Sequence, residues 1–86
     1  MKLIFADEAW EDCLVRQKQE RRMVDRINKL IRETQPEPFA GVGKPEPLKH
    51  AIAGYWSRRI NEEHRMVYKI ERDALLLAQL RYHYSR

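Results

Sequence analysis

The chain has 86 residues, with 17 Lys and Arg against 13 Asp and Glu, three His and one Cys, for a formal net charge of +4. That length suits one domain, 1–86, because two cores would each be too small to offset chain entropy, and a lone cysteine excludes an intramolecular disulfide and fits a reducing cytoplasm. No apolar run approaches the roughly 20 residues a membrane span needs, the opening MKLIFADEAW lacks the cationic-then-apolar layout of a signal peptide, and 43% hydrophobic residues with charge of mixed sign argue against wholesale disorder.

Lys2-Leu3-Ile4-Phe5 is a short apolar run that predicts an opening strand. Asp7 then sits where a helix N-cap would, with Glu8 in the first turn, where a carboxylate favours the positive end of the helix dipole. Trp10, Cys13, Leu14 and Gln17 follow at helical spacing, and a basic break from Lys18 to Arg22 leads into a second helix. There Met23, Val24, Ile27, Leu30 and Ile31 mark one face, while Arg22, Asp25, Arg26, Lys29, Arg32 and Glu33 occupy the other. The pattern is a helical hairpin with one apolar stripe per helix, in which Cys13, Trp10 and, later in the chain, Trp56 read as ordinary core.

All four prolines and all three glycines fall between residues 36 and 54. Proline removes a backbone donor and glycine permits unusual dihedrals, so this stretch predicts a structured connection, anchored by Phe39, Leu48 and Ile52. Long connections in compact domains are often functional.

After Gly54 the hydrophobic period becomes two. Strands are expected at about 55–60, 64–70 and 74–84, joined by the triplets Asn61-Glu62-Glu63 and Glu71-Arg72-Asp73. Three-residue loops would pair Ile60 with His64 and Ile70 with Ala74, so that odd positions face odd positions across both hairpins. The even face then holds Trp56, Ile60, Met66, Tyr68, Ile70, Leu76, Ala78, Leu80 and Tyr82 and packs on the helices. The odd face holds Ser57, Arg59, Arg65, Lys69, Gln79, Arg81 and His83. Charge follows the same division: residues 1–34 are almost neutral, and +3 of the +4 lies in residues 35–86, a bias that favours a polyanion such as nucleic acid.

No metal or cofactor is expected. His50, His64 and His83 do not fall at ligand spacings, Cys13 adds no partner, and Gly41-Val42-Gly43-Lys44 lacks the strand–turn–helix setting of a phosphate loop. What remains is a set of titratable and cationic groups: Glu46 and Lys49 on the proline-flanked segment, with Arg59, Arg65, His83 and Tyr84. Such a set suits cleavage of RNA, which carries its own nucleophile in the 2′-hydroxyl. The protein then supplies a base, cations for the charge on phosphorus and an acid for the departing 5′-oxygen. A carboxylate and a histidine can fill the base and acid roles, and the planar fork of arginine matches two phosphoryl oxygens at once. Each residue also has a plainer reading, as a solvated carboxylate, a solubilising strand cation or a surface histidine.

Four ordered motifs narrow the choice. Lys44-Pro45-Glu46-Pro47-Leu48-Lys49-His50, Trp56-Ser57-Arg58-Arg59-Ile60, Glu62-Glu63-His64-Arg65-Met66-Val67-Tyr68 and Arg81-Tyr82-His83-Tyr84 closely resemble the Txe/YoeB family of bacterial toxins, and the opening strand and Trp10 helix extend the likeness over the whole chain. The resemblance implies the α+β fold of the RelE/ParE superfamily, with two N-terminal helices on one face of a twisted, mainly antiparallel sheet of about four strands. It further implies an endoribonuclease that cuts mRNA in the ribosomal A site, stops translation and is neutralised by a cognate antitoxin; a homodimer is left open. On this likeness Glu46 is the general base, His83 the general acid and Arg65 the stabiliser of the transition state. Lys49 and Arg59 contribute to phosphate binding and Tyr84 positions the substrate. The expected products carry a 2′,3′-cyclic phosphate, or its opened 3′-phosphate, and a 5′-hydroxyl. Because the ribosome would supply substrate alignment, activity on free RNA is expected to be weak or absent. Family members commonly stop at or next to Tyr84, whereas Ser85 and Arg86 follow here, which moves the terminal carboxylate away and adds a cation.

Two other classes are compatible with such a fold. One is a non-catalytic, ParE-like inhibitor of DNA gyrase, which has no need of Glu46, Arg65 and His83. The other is a binding module whose basic sheet merely attracts phosphate.

Overall fold

A computed structural model describes residues 1–41, 43–48 and 54–81. The elements in chain order are β1 (Lys2–Phe5), α1 (Asp7–Gln19), α2 (Arg21–Thr34), β2 (Glu46–Pro47), β3 (Trp56–Arg59), β4 (Arg65–Glu71) and β5 (Ala74–Gln79). They build one five-stranded sheet in the order β1-β5-β4-β3-β2, with β1 parallel to β5 and every other pairing antiparallel. The expected α+β architecture is therefore present, and the strand beyond the anticipated four is the two-residue β2.

Helix α1 starts one residue earlier than its capping signal suggested. Ala6 occupies the cap position and no side chain caps the helix, so Asp7 lies inside the first turn. Asp7 and Glu8 at one end and Arg16 and Lys18 at the other complement the helix dipole instead. The break between the helices is also narrower than the basic run from Lys18 to Arg22, because Glu20 alone is extended, with φ −145° and ψ 94°. The buried face of α2 is Met23, Ile27, Leu30, Ile31 and Thr34, and it joins Ala9 and Cys13 of α1 in the core. Trp10 is not core: it is largely exposed and meets Phe5 edge-on at a centroid distance of 5.5 Å.

Across β3 and β4 the register is the expected one, with Trp56 opposite Tyr68 and Arg59 opposite Arg65, and the Ile60 N–H donates to the His64 carbonyl at 2.9 Å. The second hairpin differs by one residue. Glu71 pairs with Ala74, so the turn is Arg72-Asp73, and Arg72 enters the left-handed region at φ 52°. That slip turns Leu75 and Leu77, rather than Leu76, onto the helices. A bulge opposite Val67 and Tyr68 then skips Ala78 and restores the expected parity, so Leu80 enters the core while Gln79 lies opposite Val67. Tyr82, assigned to the apolar face, lies outside the described residues.

The even face of β3 also buries a charge. Arg58 is fully buried beside Tyr68, its guanidinium carbon 5.9 Å from the ring centroid. Its Nε donates to the Tyr68 hydroxyl at 3.2 Å and its Nη2 donates to the carbonyls of Glu37 and Ala40, the latter at 2.7 Å. Burial raises the Tyr68 pKa, against the opposing pull of Arg58, and the protonated hydroxyl donates to the Pro38 carbonyl. Phe39 stacks on Trp56 at 4.7 Å. The proline- and glycine-rich segment is thus tied to the sheet as expected of Phe39. Leu48 adds a backbone bond to Tyr55 at 2.8 Å, whereas Ile52 lies outside the described residues.

At the other end of β3, His64 is 4% exposed and its Nε2 lies 2.7 Å from Arg16 Nη2. A guanidinium has no lone pair to offer, so Nε2 is the acceptor and the ring proton is on Nδ1. Burial, then the Arg16 cation, lower the His64 pKa, with Glu63 opposing.

Two outcomes follow from these buried groups. Replacing Arg58 by Leu leaves carbonyls and a hydroxyl without their donor and should cost about 2–4 kcal/mol; a denaturant midpoint unchanged from wild type would contradict this role. Because the folded His64 binds a proton less readily than the unfolded chain, its contribution is complete above about pH 6.5 and declines as pH falls below it. The melting temperature of wild type should therefore fall more steeply below pH 6.5 than that of His64→Gln; parallel curves would show that His64 is not the group responsible.

Candidate functional site

Strand β2 exists because Gly43 allows the preceding segment to lie close against the sheet. Gly43 has φ 85°, and a Cβ there would come within 3.1 Å of Leu30 Cδ2, 3.2 Å of Arg58 Cβ and 3.3 Å of the Arg59 carbonyl oxygen. Its own carbonyl accepts the Arg59 N–H at 2.7 Å. The chain then runs alongside β3 with Glu46 opposite Ser57 and Pro47 opposite Trp56. Pro47 carries no N–H to pair, consistent with its place on the edge strand.

Cross-strand partners share a face, so Glu46, Ser57 and Val67 lie together on the side of the sheet away from the helices, with Arg65 two residues from Val67 on the same side. Arg65 Nη2 stands 3.2 Å from Glu46 Oε1, and Arg65 Nε donates to Ser57 Oγ at 3.0 Å. The two charges are unequally placed: the Arg65 side chain is 11% exposed and the Glu46 side chain 64%. Among the described residues no acceptor meets Nη2 in aligned hydrogen-bonding geometry, so its contact with Glu46 is an ion pair with donor capacity to spare. A cation fixed from below by a serine, beside an exposed carboxylate, is an arrangement that can accept an anion on the arginine and a proton on the carboxylate.

Of the residues singled out in the sequence, the structure brings Glu46 and Arg65 into contact. Arg59 is directly opposite Arg65 but exposed, where it borders a notch of about 180 Å3 with Arg26, Lys29, Leu30 and Ile60. Lys49, His83 and Tyr84 lie outside the described residues. Ser57 lies on the face expected of it and acts there through Arg65, a role for which the sequence signal is the parity the two share. Arg58 has the parity of the apolar face, which is the only sequence signal for its burial. Among the described residues no group of three or more His, Cys, Asp or Glu could hold a metal ion.

The Ser57 contact has a measurable consequence. In Ser57→Ala the Arg65 Nε–H loses its acceptor, worth ~1 kcal/mol, and should exchange with solvent about five-fold faster by NMR; unaltered exchange would show that Ser57 does not orient the guanidinium.

Comparison with known proteins assigns the chain to a family. Residues 5–84 match the family model described as the YoeB-like toxin of bacterial type II toxin–antitoxin systems. The chain is 56% identical over 84 residues to Toxin YoeB of Escherichia coli strain K12, an alignment covering 98% of this chain and all of that protein. Among solved structures, a YoeB/ParE toxin from Agrobacterium tumefaciens superposes with a TM-score of 0.95 at 50% identity, covering 98% of this chain and 100% of that one. YoeB from Staphylococcus aureus, solved in a heterotetrameric complex with YefM, superposes at 0.89 with 39% identity and 98% of each chain covered. The family match over residues 5–84, the identity and the near-complete coverage agree, and the chain belongs to the YoeB-like toxins of bacterial type II toxin–antitoxin systems.

Proposed function

We propose that this toxin is a metal-independent endoribonuclease that cuts mRNA in the ribosomal A site, and that a cognate antitoxin of the YefM kind neutralises it. The observation that carries the reading is the Glu46–Arg65 pair: an exposed carboxylate held 3.2 Å from a nearly buried guanidinium with unused donors. The complex of the S. aureus relative with YefM supports the choice of partner.

In this reading Glu46 removes the proton of the 2′-hydroxyl, and its exposure lets that hydroxyl reach it. The oxygen attacks the adjacent phosphorus, the P–O5′ bond breaks, and a 2′,3′-cyclic phosphate forms. Arg65 carries the extra negative charge that develops on the phosphoryl oxygens, where a pre-oriented cation acts most strongly. His83 gives its proton to the departing 5′-oxygen, Lys49 and Arg59 hold flanking phosphates, and Tyr84 positions the substrate. One domain, 1–86, suffices for this chemistry if the ribosome aligns the strand, an effect worth several kcal/mol of the barrier in principle.

The test is to map new mRNA 5′ ends in a translation extract with wild type, Glu46→Ala and His83→Gln. Wild type should yield 5′-hydroxyl ends at A-site codons, and each variant should lose at least about 100-fold in cleavage while still binding antitoxin. Cleavage at wild-type rate by both variants would overturn the mechanism, and inhibition of DNA supercoiling without any cut mRNA would overturn the function.

A further inference from the structure

Cations gather at the C-terminal end of β3 with no acid to balance them. Arg59 borders the notch of about 180 Å3 that it shares with Arg26, Lys29, Leu30 and Ile60. Leu30 and Ile60 are buried and give the notch an apolar floor, while the three cations stand exposed around it. They come from two elements, since Arg26 and Lys29 lie one turn apart on α2 and Arg59 ends β3. Arg26 Nη1 donates to the Ile60 carbonyl at 3.1 Å, which holds that side chain across the gap between helix and strand. No acidic residue lines the notch. Among the described residues none of its three cations is in an ion pair, whereas Arg16, Arg65 and Lys69 each have a carboxylate partner. Like charges gathered in this way repel one another, a cost that a bound anion would remove.

The geometry points to a second anion subsite in this notch, built by Arg26, Lys29 and Arg59, that takes a phosphodiester of RNA. The choice of RNA rests on the reading of the Glu46–Arg65 pair given above. Register connects the two places: Arg59 is directly opposite Arg65, and cross-strand partners share a face with Cβ atoms about 5 Å apart. Arg59 therefore stands on the face of the pair and on the rim of the notch at once. The cations run in a row from Arg65 over Arg59 to Arg26 and Lys29, and a strand lying along them keeps its phosphates on positive charge as it leaves the sheet for α2. Two guanidinium forks and an ammonium suit the phosphoryl oxygens of one nucleotide, and the apolar floor suits its ribose. Either the message continuing from the Glu46–Arg65 pair or ribosomal RNA beside it supplies the phosphodiester, and the chemistry of the subsite is the same for both.

The test measures binding against salt concentration for wild type, Lys29→Ala, Arg26→Ala and Lys18→Ala, the last removing an exposed cation of α1 outside the notch. One probe is a short 2′-O-methyl RNA oligonucleotide, which offers phosphodiesters but no nucleophile; the other is the vacant ribosome. Lys29→Ala and Arg26→Ala should each flatten the dependence of log Kd on log salt by about 0.7, the value for one phosphate contact on a single strand, and Lys18→Ala should leave it unchanged. Flattening with the oligonucleotide supports the subsite with the message as its ligand; flattening with the ribosome alone supports it with ribosomal RNA. Wild-type slopes for both notch variants with both probes would overturn the inference, as would an equal effect of Lys18→Ala, which would reduce the notch to overall charge. A loss confined to antitoxin binding would mean that the notch serves a protein and would also overturn it. Because Arg26→Ala gives up the bond to the Ile60 carbonyl, Lys29→Ala decides should that variant not fold; Lys29 is a surface position where alanine suits the helix. Cleavage by Glu46→Ala, measured in parallel, keeps the two claims apart. Normal cleavage by that variant refutes the reading of the Glu46–Arg65 pair, while the slopes still decide the notch.

Discussion

The arrangement of the site depends on a guanidinium buried on the core face of β3. Arg58 lies against the Tyr68 ring and donates to Tyr68 and to the carbonyls of Glu37 and Ala40. A buried cation is tolerable only when its donors are met, and here most of the acceptors come from a segment with little regular structure of its own. The exchange is mutual, since the carbonyls at Glu37 and Ala40 gain a charged donor and the segment gains a fixed path to β3. Gly43 packs against the base of the same arginine, and three residues further on Glu46 pairs with Ser57. The carboxylate of the candidate site is therefore delivered by a contact on the opposite face of the sheet.

The alternation of β3 turns this into a functional division. Arg58 points to the core, while Ser57 beside it points the other way, accepts from Arg65 and opposes Glu46. The result is asymmetric by design of the backbone: Arg65 is nearly buried and oriented, whereas Glu46 is open to solvent. The sheet thus presents an open carboxylate beside a cation that Ser57 holds in place. That suits a reaction in which charge appears on the phosphoryl oxygens while a proton leaves a neighbouring hydroxyl.

Much of this was legible in the residues because it depends on parity. The β3–β4 loop length predicted the pairing of Ile60 with His64, and with it the common face of Ser57 and Arg65. The second hairpin misled for a local reason. Arg72 adopts a left-handed conformation, shortening the turn by one residue, and the bulge at Ala78 takes up the difference, so Leu75 and Leu77 face the helices although Gln79 keeps its place. The two-residue β2 carries no periodic signal at all, since two residues cannot show a period. Arg58, Asp12 and Arg16 escape a sequence reading for a common reason: sequence patterns assign charged residues to solvent, and these three are buried beside partners distant along the chain, the Ala40 carbonyl for Arg58, the Leu80 N–H for Asp12 and His64 for Arg16. Asp7 was misplaced by one residue because Ala6 takes the cap position without a side-chain bond.

The chain is a YoeB-like toxin, and its sheet places an exposed carboxylate and a nearly buried guanidinium side by side on one face. The central chemical claim is that the nucleophile belongs to the RNA and that Glu46 only activates it. The most direct measurement is cleavage on ribosomes programmed with mRNA carrying a single 2′-deoxy substitution at the scissile nucleotide of the A-site codon. The account predicts that this mRNA stays intact at that bond while the all-ribose message is cut to a 2′,3′-cyclic phosphate and a 5′-hydroxyl. Cutting of the deoxy-substituted bond at a comparable rate would contradict it, because the attacking oxygen would then have to come from elsewhere.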